Sequence, residues 1–226
     1  EPMADTSFIP LYFLSKQVRT NETVCLSGDG GDEIFGGYET YVADQLHQAF
    51  RWLPQSFWNI TGNILKTIPV SHRKVSFDYK LRQFLAGQNI PIDQAHYFWR
   101  TIFNDRDKEK LLTPDYRDAV SSHNPFTIFE SLSEEVKGCH YLDRAMYVDT
   151  KTWLPDDVLV KVDRATMASS LEARAPFLDH RLVEFCASLP VSWKIHGNNK
   201  KKLLKLSQRN RLPAKSLMRS KKGFNA

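Results

Sequence analysis

Apolar residues recur at helical spacing along most of this chain, and the pattern breaks at one place near the start. Residues 11–19 carry the helical pattern, with Pro10 placed where proline can begin a helix. Thr23-Val24-Cys25 is a β-branched apolar run and reads as a buried strand, the only convincing one in the pattern. Residues 38–53 return to helical spacing, with Tyr41, Val42, Leu46, Ala49 and Phe50 on one side and Pro54 as the stop. Further helices are predicted over 56–68, 76–87, 93–103, 105–111, 127–137 and 139–153, separated by proline, glycine, asparagine or serine. Eleven aromatic residues from Phe50 to Phe103, including Trp52, Phe57, Trp58, Phe84, Tyr97 and Trp99, could stack on bases, but their helical spacing assigns them to core. The pattern therefore predicts a mainly α protein with a remnant of an α/β sheet. No fixed-period repeat or low-complexity linker divides it.

Composition narrows the class without naming a chemistry. The 226 residues are 42% hydrophobic and 25% charged, an ordinary globular balance with room for a sizeable core. No apolar run approaches the roughly 20 residues of a membrane span, and the start shows no signal-peptide pattern. Cys25, Cys139 and Cys186 are scattered and odd in number, which predicts reduced, mostly buried thiols and a cytoplasmic location. Seven histidines form no zinc-spaced cluster, and Ser27 lacks the Gly-x-Ser-x-Gly frame of a nucleophile elbow. The net charge of +5 hides an asymmetry, because residues 194–222 hold eleven Lys or Arg and no acid. That basic tail fits a polyphosphate-binding edge, a solvated helix face or a nucleic-acid patch. It lacks the interleaved aromatics of the last, so nucleic acid is not the expected partner.

The strand runs into LSGDGGDEIFGGY at 26–38, where five of the chain's ten glycines fall within ten residues. Glycines let the backbone turn sharply and approach a ligand, and free N–H groups suit anionic oxygens. Asp29, Asp32 and Glu33 would repel a bare phosphate, so a divalent cation or cationic group belongs between them. A Mg-nucleotide site is one reading, and a tight turn with solvated acids is the other. A second dense segment, WLPDDVLVKVDRATMASSLEARAPFLDH, spans 153–180. Asp156 and Asp157 after Pro155 suit a helix start, and Asp163, Thr166, Met167 and Ser170 would share one helical face. Glu172 and Arg174 then precede Pro176, either as catalytic groups or as a buried pair tying helix to loop.

These segments, with RSKKGF at 219–224 and the opening EPMADTSFIPLYFLSK, resemble in order the synthetase domain of glutamine-dependent asparagine synthetases. The stretch from about 53 to 137 carries no signature of that family. The resemblance implies an adenine-nucleotide α-hydrolase-like (HUP, Rossmann-like) domain. Residues 1–38 would be part of the nucleotide-binding core, and 39–226 a mostly helical region. It implies ATP and Mg2+, with the side-chain carboxylate of aspartate activated as β-aspartyl-AMP and attacked by ammonia from an N-terminal glutaminase domain. Ser27, Gly28 and Gly30 match nucleotide-contacting positions, and Asp32 a Mg-pyrophosphate position. Asp29 matches an acidic position that forms or uses the adenylate, and Lys221 a pyrophosphate-binding lysine. Glu172 has the direct role in its motif, with Arg174 and Asp163 supporting it. For the longer protein a homodimer is the expected assembly.

Two departures shape the expectation. Many asparagine synthetases have Glu where Asp29 stands and Ser where Gly31 stands, so the acceptor could differ, as in branches that amidate sugars, close β-lactams or cyclise peptides. The family's Ser-Gly-Gly-x-Asp-Ser pyrophosphate loop and N-terminal cysteine do not occur in this sequence. Both ends therefore read as cut from a longer chain, and the isolated 226 residues are expected to have little amidating activity. A non-enzymatic helical module with a nucleic-acid-binding tail is the remaining alternative.

Overall fold

The computed structural model describes residues 5–66 and 77–219. Chain contacts divide it into two compact units: Glu1–Tyr38 with Met146–Ala226, and Glu39–Ala145 between them.

The first unit contains the sheet. Helix α1 (Phe8–Arg19) leads to strand β1 (Val24–Leu26), and the glycine loop then opens helix α2 (Gly31–Phe35). The later part of the unit begins with the last turns of helix α10 (Tyr141–Lys151). It continues through a π-helical stretch (Leu154–Leu159), α11 (Val160–Met167), strand β2 (Glu172–Arg174) and a 3-10 turn (Pro176–Leu178). Helices α12 (His180–Ser188), α13 (Val191–Lys194), α14 (Lys202–Ser207) and α15 (Ala214–Met218) follow. The two strands pair in parallel, with Val24 opposite Glu172, Cys25 opposite Ala173 and Leu26 opposite Arg174. A parallel pair needs a crossover connection, and here everything from α2 to α11 lies between the strands. Helix α1 packs on α11, and α2 packs on α12, α14 and the 3-10 turn. Ile34, Phe35 and Cys186 form the core there, with Phe177, Leu182, Val183, Leu203 and Leu204 against them. Each large apolar side chain fully buried in this way contributes about 1.5–3 kcal/mol.

The second unit is helical throughout its described residues. It comprises α3 (Glu39–Phe50), α4 (Gln55–Lys66), α5 (Phe77–Gly87), α6 (Ile92–Arg100), α7 (Asp105–Leu111), α8 (Pro114–Val120), α9 (Phe126–Glu135) and the first turn of α10. Trp58 and Leu85 anchor one cluster with Leu53, Leu81 and Phe84. The buried face of α3 is Tyr41, Asp44 and His47. His96 Nδ1 lies 2.8 Å from Asp44 Oδ2, and the His96 ring stacks on Tyr41 with centroids 5.8 Å apart. Arg144 forks onto Asp93 with contacts of 3.1 and 2.9 Å.

The structure corrects several expectations. Glu172–Arg174 is a second strand, because Leu171 ends the turn after α11 and β1 offers an open edge to pair with. Helix formation does not restart at Asp156: the π-helical stretch carries the chain through Pro155, with Asp156 N–H donating to the Thr152 carbonyl at 3.0 Å. The proposed face of α11 does not hold, since the helix ends at Met167 and Ser170 sits beyond it in the left-handed region at φ 54°. On α3, Tyr41 of the predicted apolar face is fully buried, but Leu46, Ala49 and Phe50 are exposed, and Asp44 and His47 are buried in their place. Trp58 is core as expected, but Trp52 is 74% exposed, and Phe57 and Phe103 are exposed too. Of the cysteines only Cys186 is buried, whereas Cys25 is half-buried and Cys139 exposed.

Candidate active site

The glycine loop sits at the end of β1, where strand pairing stops and backbone donors become available to a ligand. The last link of the pairing is Ser27 N–H to the Arg174 carbonyl at 2.7 Å, so the two motif segments meet at this point. Ser27 Oγ is buried and has no hydrogen-bond partner within the protein. The next residue, Gly28, has open space where a side chain would stand. An unfilled hydroxyl beside an unobstructed backbone is the arrangement expected where a ligand approaches the chain closely.

Beyond Gly28 the loop is packed from below. Gly30 caps α2 at φ +82°, and a Cβ there would overlap Leu178, while one on Gly31 would meet the Phe177 ring at 3.0 Å. The Phe-Leu of the 3-10 turn thus fixes the height of α2, with Phe35 and Phe177 edge to face at 5.7 Å. Within α2, Gly31, Glu33, Ile34 and Phe35 are buried, and Asp32 is the one residue that is not. Its carboxylate lies 2.9 Å from Lys201 Nζ, directly over Gly37. Lys201 is held in the left-handed region at φ 54°, and its N–H donates to the Phe35 carbonyl at 3.2 Å. Burial pushes the Glu33 carboxyl above the usual carboxylate range, opposed by the Tyr38 hydroxyl and reinforced by the charges of Asp32 and Asp149. Burial pulls the Lys205 ammonium below its usual range, and the like charges of Lys200 and Lys201 add to this.

Strand alternation decides where Glu172 and Arg174 point. Two residues apart on β2, they share one face with Val24 and Leu26 of β1, and all four are exposed. They form an ion pair at 2.6 Å, with 55% and 63% of their side chains exposed. The buried tie between helix and loop is therefore corrected to a solvent-facing pair within one strand. Asp29 is half-buried in the loop, and Asp163 is exposed on α11. Lys221 lies outside the described residues. Lys201 was not singled out by its sequence; it stands among three consecutive lysines, and only the ion pair distinguishes it.

The family model for asparagine synthase matches residues 1–226. The chain belongs to the asparagine synthase family. It is 32% identical over 229 residues to asparagine synthetase [glutamine-hydrolyzing] 1 of Bacillus subtilis, a match covering 99% of this chain and 34% of that protein. It is also 32% identical to a putative asparagine synthetase [glutamine-hydrolyzing] of Mycobacterium tuberculosis, over 99% of this chain and 33% of that protein. A second such relative, from Methanocaldococcus jannaschii, is 31% identical over 74% of this chain and 30% of its own length. The asparagine synthase domain described here thus spans about a third of the length of these relatives. No solved structure matches the chain.

The asparagine synthase family is ATP-dependent. The unfilled Ser27 hydroxyl and the open backbone at Gly28 fit a nucleotide. Among the described residues no group of three or more His, Cys, Asp or Glu converges to hold a metal by itself. Mg2+ is usually held by one or two carboxylates together with substrate phosphates and water, and Asp32, the one residue of α2 that is not buried, fits that smaller demand. No helix among the described residues is long and apolar enough to cross a membrane.

Proposed function

We propose that this domain binds ATP at the end of β1, in a HUP-like α/β core, and activates the side-chain carboxylate of aspartate as β-aspartyl-AMP. Its membership of the asparagine synthase family across residues 1–226 carries the reading. A carboxylate oxygen of aspartate attacks the α-phosphorus of ATP, and pyrophosphate leaves with the bonding electrons. Ammonia then attacks the carbonyl of the mixed anhydride, loses a proton, and expels AMP to give asparagine. In the longer relatives, named glutamine-hydrolysing, glutamine would supply that ammonia from a separate domain.

The chain's own residues divide the work. Ser27 and Gly28 hold the AMP portion, where the loop leaves the backbone open, and Gly30 turns the loop beside it at φ +82°. Asp32 would hold the magnesium through its carboxylate, with Lys221 as a point charge for the departing phosphate. Magnesium, when bound, neutralises charge that develops on the phosphate oxygens. Asp29 orients the ammonium of aspartate or takes the proton of the attacking ammonia. Glu172 acts at the substrate side, kept in place by Arg174, and Asp163 supports the same wall.

The test places this chain in the matching third of the Bacillus subtilis relative and follows aspartate-dependent pyrophosphate release from ATP. Release and asparagine formation are expected, with both lost in Asp32→Asn. A chimera that folds and hydrolyses glutamine but releases no pyrophosphate with aspartate would overturn the reading.

A further inference from the structure

Helix α2 is five residues long, far below the length at which an isolated helix holds itself together in water. Its N-cap, Gly30, offers no side-chain acceptor, and its C-terminus turns through Gly36 at φ +66°. The helix nevertheless carries Asp32, whose direction follows the placement of this single turn. Packing on Phe177 and Leu178 fixes one side of it. On another side stands Glu33, 1% exposed, in the middle of the turn. A buried carboxyl is costly without a hydrogen-bond partner. The partner is Tyr38, whose hydroxyl donates to Glu33 Oε1 at 2.5 Å across the Gly36–Gly37 bend. That bend is cramped. A side chain on Gly36 would meet Met146 and Ile195, and one on Gly37 would strike the Asp32 carboxylate and Lys201. Gly37 N–H also donates to the Asp32 main-chain carbonyl at 2.8 Å. The Tyr38–Glu33 bond therefore spans the turn on which Asp32 depends for its aim.

We propose that Glu33 and Tyr38 are positioning residues: their hydrogen bond brackets α2 and its glycine bend so that Asp32 meets the metal-bearing end of a metal–nucleotide. The proposal rests on the reading of Asp32 as the carboxylate of that site. It has a consequence that a general loss of stability lacks. The AMP portion is held at Ser27 and Gly28, outside the bracket, so loosening it weakens metal-loaded nucleotide and spares metal-free nucleotide.

The experiment titrates the chimera that carries this chain in the matching third of the Bacillus subtilis relative with ATP, once with Mn2+ and once with chelator, and reads both affinities by calorimetry. Tyr38→Phe is expected to weaken Mn–ATP binding about tenfold, the worth of one good hydrogen bond, and to leave metal-free ATP within about threefold. Glu33→Gln keeps an acceptor for the hydroxyl and stays within about threefold in both titrations. Should Tyr38→Phe unfold, Glu33→Leu combined with Tyr38→Phe replaces the pair by apolar groups, which is close to neutral for stability, and keeps the tenfold metal-dependent loss. Equal weakening of both forms by Tyr38→Phe, no weakening of either, or full Mn–ATP affinity in the double variant overturns the proposal. Asp32→Asn separates the two layers. If it leaves Mn–ATP binding unchanged, or if Mn–ATP binds the unaltered chain no better than ATP, the reading of Asp32 falls and the proposal with it. If Asp32→Asn removes the metal-dependent gain and Tyr38→Phe does not, only the proposal falls.

Discussion

Gly30→Ala should unfold the loop from beneath, and the structure gives the size of the effect. The residue sits at φ +82°, where an L side chain costs about 1–2 kcal/mol. The new methyl would also overlap Leu178 Cδ2 and come within 2.8 Å of its Cγ, atoms of a side chain already packed under α2. Forcing a methyl into such a place costs about 1–3 kcal/mol. Loss of glycine's freedom in the unfolded chain returns about 0.4–1 kcal/mol. The sum is a destabilisation of about 1–4.5 kcal/mol. Urea unfolding followed by circular dichroism measures it, and with a slope of about 2 kcal/mol per molar the midpoint should fall by roughly 0.5 M or more. A midpoint within about 0.2 M of the unaltered chain would refute the claim that the Phe-Leu turn sets the height of the loop.

Gly28→Ala is the counterpart, since its side chain would meet open space and its φ is not positive. Stability should change by no more than about 0.5 kcal/mol, while ATP affinity measured by calorimetry drops at least about tenfold as the methyl occupies the ligand's approach. Asp44→Ala removes the hydrogen-bond partner of Nδ1 on the buried His96 in the helical unit and should cost about 1–3 kcal/mol, read as lost amide-exchange protection in α3 and α6. Glu33→Gln tests the pH linkage. Because burial raises the folded-state proton affinity of Glu33, the native state binds its proton more tightly than the unfolded chain does. Its contribution is therefore complete below the unfolded pKa and lost as pH rises through the folded one. Urea midpoints should shift in favour of the glutamine variant between acid and neutral pH, and a gap independent of pH would refute the linkage.

Periodicity carried most of the helical architecture. The helix over 105–111 has the bounds read from sequence, and α4, α5, α6 and α9 lie close to theirs. Local pattern failed where pairing at a distance decides the outcome. Glu172-Ala173-Arg174 has no strand signature, and becomes one because β1, about 150 residues away, presents its backbone edge. The face of α3 was misjudged for a related reason. Hydrophobic spacing selects Leu46 and Phe50, but an aspartate bonded to His96 and a histidine bonded to the Ile90 carbonyl can be buried more completely than an unpaired apolar stripe.

The site shows the same division between what is local and what is not. The spacing of LSGDGGDEIFGGY marks where the chain must turn, because glycine adopts φ +82° and +66° at Gly30 and Gly36 without steric cost. It leaves open which acid faces outward. Asp32 and Glu33 are adjacent and equally charged, yet one lies against Lys201 and the other is sealed inside against Tyr38. Helical rotation of about 100° per residue separates them, and the packing of Ile34 and Phe35 on Phe177 and its neighbours fixes the direction of that rotation. The acid that can meet a ligand is thus selected by the hydrophobic core beneath the loop rather than by the loop's own composition. Substitutions in that core, at Phe177 or Leu178, should therefore perturb nucleotide binding through Asp32 without touching a ligand.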